Sequence, residues 1–156
     1  MPRFEDSVDV DVPVRVAYDQ WTQFEEFPRF MEGVKRVVQR DDKTLDWTAD
    51  IAGQRKEWTA EITDQTPDTR VAWKSVSGDE NAGAVLFRPL GANRTRITLK
   101  LDADPEGLVE TVGANIGFLE RRVKGDLKRF KEFMDSRGVP TGAWRGEIHG
   151  DEVIKE

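Results

Sequence analysis

The chain offers few side chains able to carry chemistry. Tyr18 is its only tyrosine, His149 its only histidine, and cysteine is absent. Disulfides, thiolate metal sites and a thiol nucleophile are thereby excluded, and a single histidine cannot assemble a multi-histidine metal centre. The groups left for moving a proton or polarising a carbonyl are Tyr18 and Arg88. Tyr18 lies at a buried helical position, where its hydroxyl could turn into a cavity or find a backbone carbonyl. Arg88 interrupts the apolar run AVLFRP (84–89); its guanidinium could bind a carboxylate or an enol oxygen at a cavity mouth, or pair with a surface acid. Glu57 and Glu61 share one strand face, and paired carboxylates do acid–base work when desolvated. That face is otherwise polar, so both read as solvated surface. His149 falls in a Gly-rich tail and reads as a residue with no special role.

The groups suited to binding are more numerous. Trp47, Trp58 and Trp73 fall on three successive strand-like runs. An indole offers a broad apolar plate and one N–H donor, which fits the wall of a mixed pocket as well as a packed core. Earlier, the segment WTQFEEFPRF (21–30) sets Trp21, Phe24, Phe27 and Phe30 at intervals of three. That interval suits one face of a helix and not a strand. Burial of four such rings contributes on the order of 6–12 kcal/mol of transfer free energy before entropy is subtracted.

The elements that position these residues follow from periodicity. Val8, Val10 and Val12 alternate with Asp9 and Asp11 over 5–12, a half-buried strand. Pro13 suits a helix start, and Val14, Ala17, Tyr18 and Trp21 keep helical spacing. Pro28 forbids one long helix, so two short helices are expected with a break near Phe24, the second ending at Gly33. Six strand-like runs follow, at roughly 34–40, 44–52, 55–63, 70–76, 83–89 and 94–102, with DDK, AGQ, TPD, SGDENAG and PLGAN as turns. Leu45, Trp47, Ala49 and Ile51 alternate with polar neighbours; so do Trp58, Ala60 and Ile62, and Ile97, Leu99 and Leu101. An antiparallel sheet with one wet and one dry face is the reading. Residues 106–137 would cover the dry face: Leu108, Val112, Ile116, Leu119, Val123, Leu127, Phe130 and Met134 form a stripe about 40 Å long at 1.5 Å per residue. The class is α+β. Residues 1–137 make one domain, and the Gly-rich, charged segment 138–156 is expected to be loosely ordered apart from Trp144.

Composition narrows the partners. With 24 basic and 30 acidic residues among 156, the net charge is −6 and the pI near 5.0, so nucleic acid is not the expected partner. No apolar run reaches the length of a membrane span, and MPRFEDSVDV lacks the apolar segment of a signal peptide. A cytoplasmic location without stable membrane insertion is expected. The basic stretch RRVKGDLKRFK (121–131) is interspersed with acids and reads as a solvated helix face.

The order of elements resembles the helix-grip fold of START-type proteins. Within it, VDVPVRVAYDQWTQFEEFPRFMEGVKRV (10–37), EWTAEI (57–62) and GFLERRVKGDLKRFKEF (117–133) are similar to the polyketide cyclase/dehydrase branch, which also includes coenzyme Q-binding proteins. The resemblance covers roughly residues 4–137, and the string W-x-x-F-x-x-F-P-x-F is its most specific part. It implies a seven-stranded curved antiparallel sheet, two short helices and a long C-terminal helix over a cavity. The implied ligand is a small hydrophobic molecule, polyketide, quinone or lipid-like, with no cofactor and a monomer or weak dimer as host. Trp47, Trp58, Ala60 and Trp73 would meet it from the sheet, Val112, Ile116 and Leu119 from the long helix, and Phe27 and Phe30 from the short ones. The cyclases of this branch are thought to use a Ser and an Arg on the EWTAEI-like strand. Here those positions fall on Ala60 and Ile62, which cannot donate a proton, so a binder or carrier is expected ahead of an active aromatase/cyclase. A chaperone docking on a membrane or an enzyme is the third implied role.

Overall fold

Alternation along the chain becomes one antiparallel sheet in a computed structural model, which describes residues 3–51, 53–78, 81–103 and 116–155. The main strands are β1 (Arg3–Val10), β2 (Val34–Gln39), β3 (Thr44–Ile51), β4 (Gln54–Thr66), β5 (Arg70–Gly78), β6 (Asn81–Gly91) and β7 (Arg94–Ala103). They lie in the order β1-β7-β6-β5-β4-β3-β2. Hairpins join β2 through β7, and β1 closes the sheet by pairing with β7, Val8 opposite Ile97. The turn chemistry is local: in the β2–β3 turn the Asp41 carboxylate accepts the N–H groups of Lys43 and Thr44, which holds its pKa below the usual carboxylate range. Register shifts in β4 between Thr59 and Ala60 and between Ile62 and Asp64 add local bend and twist to the sheet.

The apolar phase of each strand meets the helices. Val10, Val37, Leu45, Ala60, Ile62, Val71, Val85, Phe87 and Ile97 are all buried. Helix α1 (Val14–Trp21) follows Pro13 and buries Ala17, Tyr18 and Trp21. The expected break comes at Gln23, after which Phe24–Arg29 winds as a 3₁₀ helix containing Pro28. All four rings of the early aromatic row are buried. Helix α2 (Ile116–Arg137) presents Val123, Leu127, Phe130 and Met134 to the sheet, and Gly138, at φ +70°, ends it by donating to the Met134 carbonyl. The expected start of this helix near residue 106, and with it Val112, lies outside the described residues, as do the side chains of Ile116 and Leu119.

The last segment departs from expectation. Residues expected to be loose instead form β8 (Glu147–His149) and β9 (Glu152–Ile154), a hairpin docked on β4 opposite Asp64 and Gln65. The reason lies in strand length: β3 pairs with β4 only as far as Glu61, and β8 takes up the backbone edge that β4 leaves beyond it. Among the described residues the sheet therefore has nine strands, not seven. Ile148 is fully buried. Arg145 bridges Asp19 at 2.6 Å and Asp68 at 2.8 Å, and the Gln20 side-chain oxygen Oε1 accepts the Thr141 N–H at 2.8 Å.

Candidate functional site: a ring-lined cavity

Between the sheet and α2 lies a cavity of about 180 Å³. At ~10–15 Å³ of such space per water, it has room for roughly a dozen. Its walls come from three sources. The early helices supply Trp21, Phe24 and Phe27; the sheet supplies Leu45, Trp47, Trp58, Trp73 and Leu99; α2 supplies Val123 and Leu127.

A continuous run of rings crosses from α2 to the sheet. Phe130 meets Phe30 edge-on at 5.0 Å, Phe30 meets Phe27 at 5.6 Å, and Phe27 meets Trp47 at 5.6 Å. Trp47 then stacks on Trp58 at 5.7 Å. Offset and edge-on pairs of this kind add roughly 0.5–1.5 kcal/mol each beyond area burial. They also fix the rings as rigid plates.

Trp73 sits across from Gly83 on β6. A Cβ at Gly83 would come within 2.8 Å of the indole and 2.5 Å of the Lys100 carbonyl oxygen. Glycine here is what lets the indole lie flat against the sheet. Trp73 Nε1 donates to the Asn81 side-chain oxygen at 3.1 Å, which leaves an apolar plate towards the cavity.

Charge on the described lining residues is confined to one end. Among the described lining residues only Glu32, Arg122 and Asp126 are charged, and all three meet at the turn after the 3₁₀ helix. Asp126 accepts the Glu32 N–H at 3.1 Å and is hydrogen-bonded by Arg129. Arg122 donates to the Glu32 carbonyl at 2.9 Å, and Arg129 donates to the Phe30 carbonyl at 2.9 Å. Burial pushes the Asp126 carboxyl up to about 6, with Arg129 and Arg122 pulling the other way.

The residues singled out from sequence divide clearly. Trp47, Trp58, Trp73 and Phe27 line the cavity. Phe30 and Ala60 are buried nearby without lining it; Phe30 packs against Phe130 and Phe133 instead. Tyr18 is fully buried but lies away from the cavity, under the C-terminal segment with the Arg145 guanidinium 5.5 Å from its ring. Burial pushes its phenol up to about 12. Gln65 lies beside the hydroxyl, yet among the described residues neither group has a partner at hydrogen-bonding geometry. Arg88 is exposed opposite Arg96, because the strand phase that turns Phe87 inward turns its neighbour out. It does not reach the cavity. Glu57 and Glu61 pair with Arg55 and Lys43 at 3.3 Å on the outer face. His149 lies between Glu147 and Asp64 on β8, and the Glu147 contact, more than Asp64, raises its pKa.

Sequence reasoning missed Asp126 and Arg122, which it assigned to a solvated face. The signal was present: both flank the buried stripe of Val123, Leu127 and Phe130 by one residue.

Comparisons with known proteins agree with this geometry. Residues 10–132 match the model of a family described as polyketide cyclase / dehydrase and lipid transport. The chain is 49% identical over 149 residues to an uncharacterized 17.2 kDa protein of the melC2-rnhH intergenic region of Streptomyces lincolnensis, covering 95% of this chain and 99% of that one. The structure is similar to that of DR_A0006 from Deinococcus radiodurans, with a TM-score of 0.68, 29% identity and coverage of 86% and 98%. It also shares its fold with the Zhui aromatase/cyclase from Streptomyces sp. R1128, at a TM-score of 0.69 and 17% identity, over 87% of this chain and 94% of that one.

Proposed function

The chain belongs to the polyketide cyclase/dehydrase and lipid transport family, and from that premise we propose that it binds one small hydrophobic molecule between the sheet and α2, as a binder or carrier. The observation that carries this reading is the ring-lined void itself: a domain this size does not leave Trp47, Trp58 and Trp73 around about 180 Å³ of space by packing failure. A polyketide, a quinone or a lipid-like molecule suits such walls. The net charge of −6 argues for partners other than nucleic acid. No helix among the described residues is long and apolar enough to cross a membrane.

The test is native mass spectrometry of the protein after incubation with a mixed lipid extract. An adduct of defined mass is expected, weakened in Trp58→Ala. A spectrum with the bare protein alone would overturn the reading.

Catalysis on a poly-β-ketone chain is the second reading. One observation favours it: Asp126, a carboxyl raised to about 6, stands at the cavity end where it could exchange a proton near neutrality. Turnover of such a substrate that persists in Asp126→Asn would remove that support. Tyr18 and Arg88, the groups first considered, have positions that do not favour a catalytic role.

A further inference from the structure

The cavity's charged end continues into a second, polar cleft of about 180 Å³ lined by Glu32, Arg121, Arg122 and Arg129. Glu32 and Arg122 line both spaces, so the apolar hollow and the arginine-rich cleft adjoin. Helical spacing explains the cluster: Arg129 falls about two turns after the adjacent Arg121 and Arg122, on one flank of α2. Gly33, at φ +92°, completes the junction, since a Cβ there would collide with the Arg122 guanidinium and lie 2.8 Å from the Asp50 carbonyl oxygen.

We propose that the ligand is an amphiphile with an anionic head, a carboxylate or a phosphate monoester, whose head is held in the cleft by Arg121, Arg122 and Arg129 while its tail fills the apolar cavity. This rests on the binding reading above and adds the polarity of the molecule. Among the described residues three guanidiniums meet two carboxylates, with Arg129 pairing with both Glu32 and Asp126, so this group carries a positive excess in a protein whose overall charge is −6. Arg122 and Arg129 are oriented by backbone carbonyls of Glu32 and Phe30, and a guanidinium with five N–H donors is built for the planar or tetrahedral oxygens of such heads. A cationic head would meet the same excess as repulsion. Burial that pushes Asp126 up to about 6 further favours an anion below that pH, where the carboxyl is neutral.

Arg121 gives the clean variant: it is exposed, lines the cleft and carries no carbonyl of the turn. Binding of decanoate, decyl phosphate, methyl decanoate and decyltrimethylammonium would be followed by tryptophan fluorescence and calorimetry, below the concentrations at which each aggregates. Decanoate or decyl phosphate should bind about tenfold tighter than methyl decanoate, and whichever is tighter identifies the head. Arg121→Glu should weaken the anions about fivefold or more and leave the methyl ester unchanged, with melting temperature as the fold control. Equal affinity for anion and ester, or a variant that weakens both alike, overturns the anionic head while leaving hydrophobic binding in place. Tightest binding of the ammonium also overturns it. Failure of all four compounds to bind removes the binding reading and this inference together.

Discussion

Trp47 and Trp58 stand directly opposite one another on β3 and β4, with ring centroids 5.7 Å apart and only 8° between their planes. Directly opposed side chains on a sheet interact strongly, and here the pair also forms part of a cavity wall. Trp47→Ala and Trp58→Ala should therefore be less than additive in urea unfolding, with a coupling of about 1 kcal/mol. Strict additivity would mean that the stacked pair is not a unit.

Gly83 should tolerate no side chain. In Gly83→Ala the new methyl meets both Trp73 and the Lys100 carbonyl, so stability should fall by about 1–3 kcal/mol. Pairing it with Trp73→Leu should recover part of that loss, because one of the two collisions disappears. Thermal melts of the two variants test this, and no recovery would assign the whole cost to the backbone contact.

Asp126 gives a pH dependence of unusual sign. Its carboxyl is raised from 3.8 to about 6 by burial, so the folded state binds its proton more tightly than the unfolded chain does. The cost of ionising it is absent below about 3.8 and fully in force above about 6. At 1.36 kcal/mol per pKa unit, that cost reaches about 3 kcal/mol at most. The stability of Asp126→Asn relative to the parent should thus rise from pH 4 to pH 7, as read by urea unfolding across that range. A difference that shrinks with pH would contradict the assigned burial.

The C-terminal segment should prove integral to the domain. Ile148→Ala should cost about 2–5 kcal/mol, as for other buried aliphatic side chains. Arg145→Ala strands Asp19, whose side chain is 7% exposed and whose remaining cation, Arg15, is 3.8 Å away; a loss of about 3 kcal/mol is expected. Chemical denaturation measures both. Near-neutral effects would return this segment to the loose tail that its composition suggested.

Much of this architecture is legible in the sequence, for a physical reason. Strands β3, β4 and β7 are half-buried, so alternation marks which side chains turn inward, and Trp47 and Trp58 lie on the cavity side. The interval of three from Trp21 to Phe30 likewise marked a buried helical face. The remainder depends on tertiary context. Ile148 is the single buried apolar side chain of a three-residue strand, too short for any periodicity, and its partner edge exists only because β4 outruns β3. Tyr18 was read correctly as buried, but which of two buried regions it enters is set by how α1 crosses the sheet. Asp126 looked like surface because its charge was weighed above its place beside the apolar stripe. Arg88 could have been placed from strand phase alone, since Val85 and Phe87 fix the inward parity.

The dependence of β4 on β8 also orders events in time. Residues 147–149 pair with β4 residues some eighty positions earlier, and contacts that distant are slow to form. During synthesis the middle of the sheet is laid down first, with the backbone at Asp64 and Gln65 still open. A chain stalled or clipped before Glu147 would display that bare edge, the kind of surface on which other unfinished chains add. The β8–β9 hairpin thus covers backbone groups of β4 that would otherwise stand open to another chain.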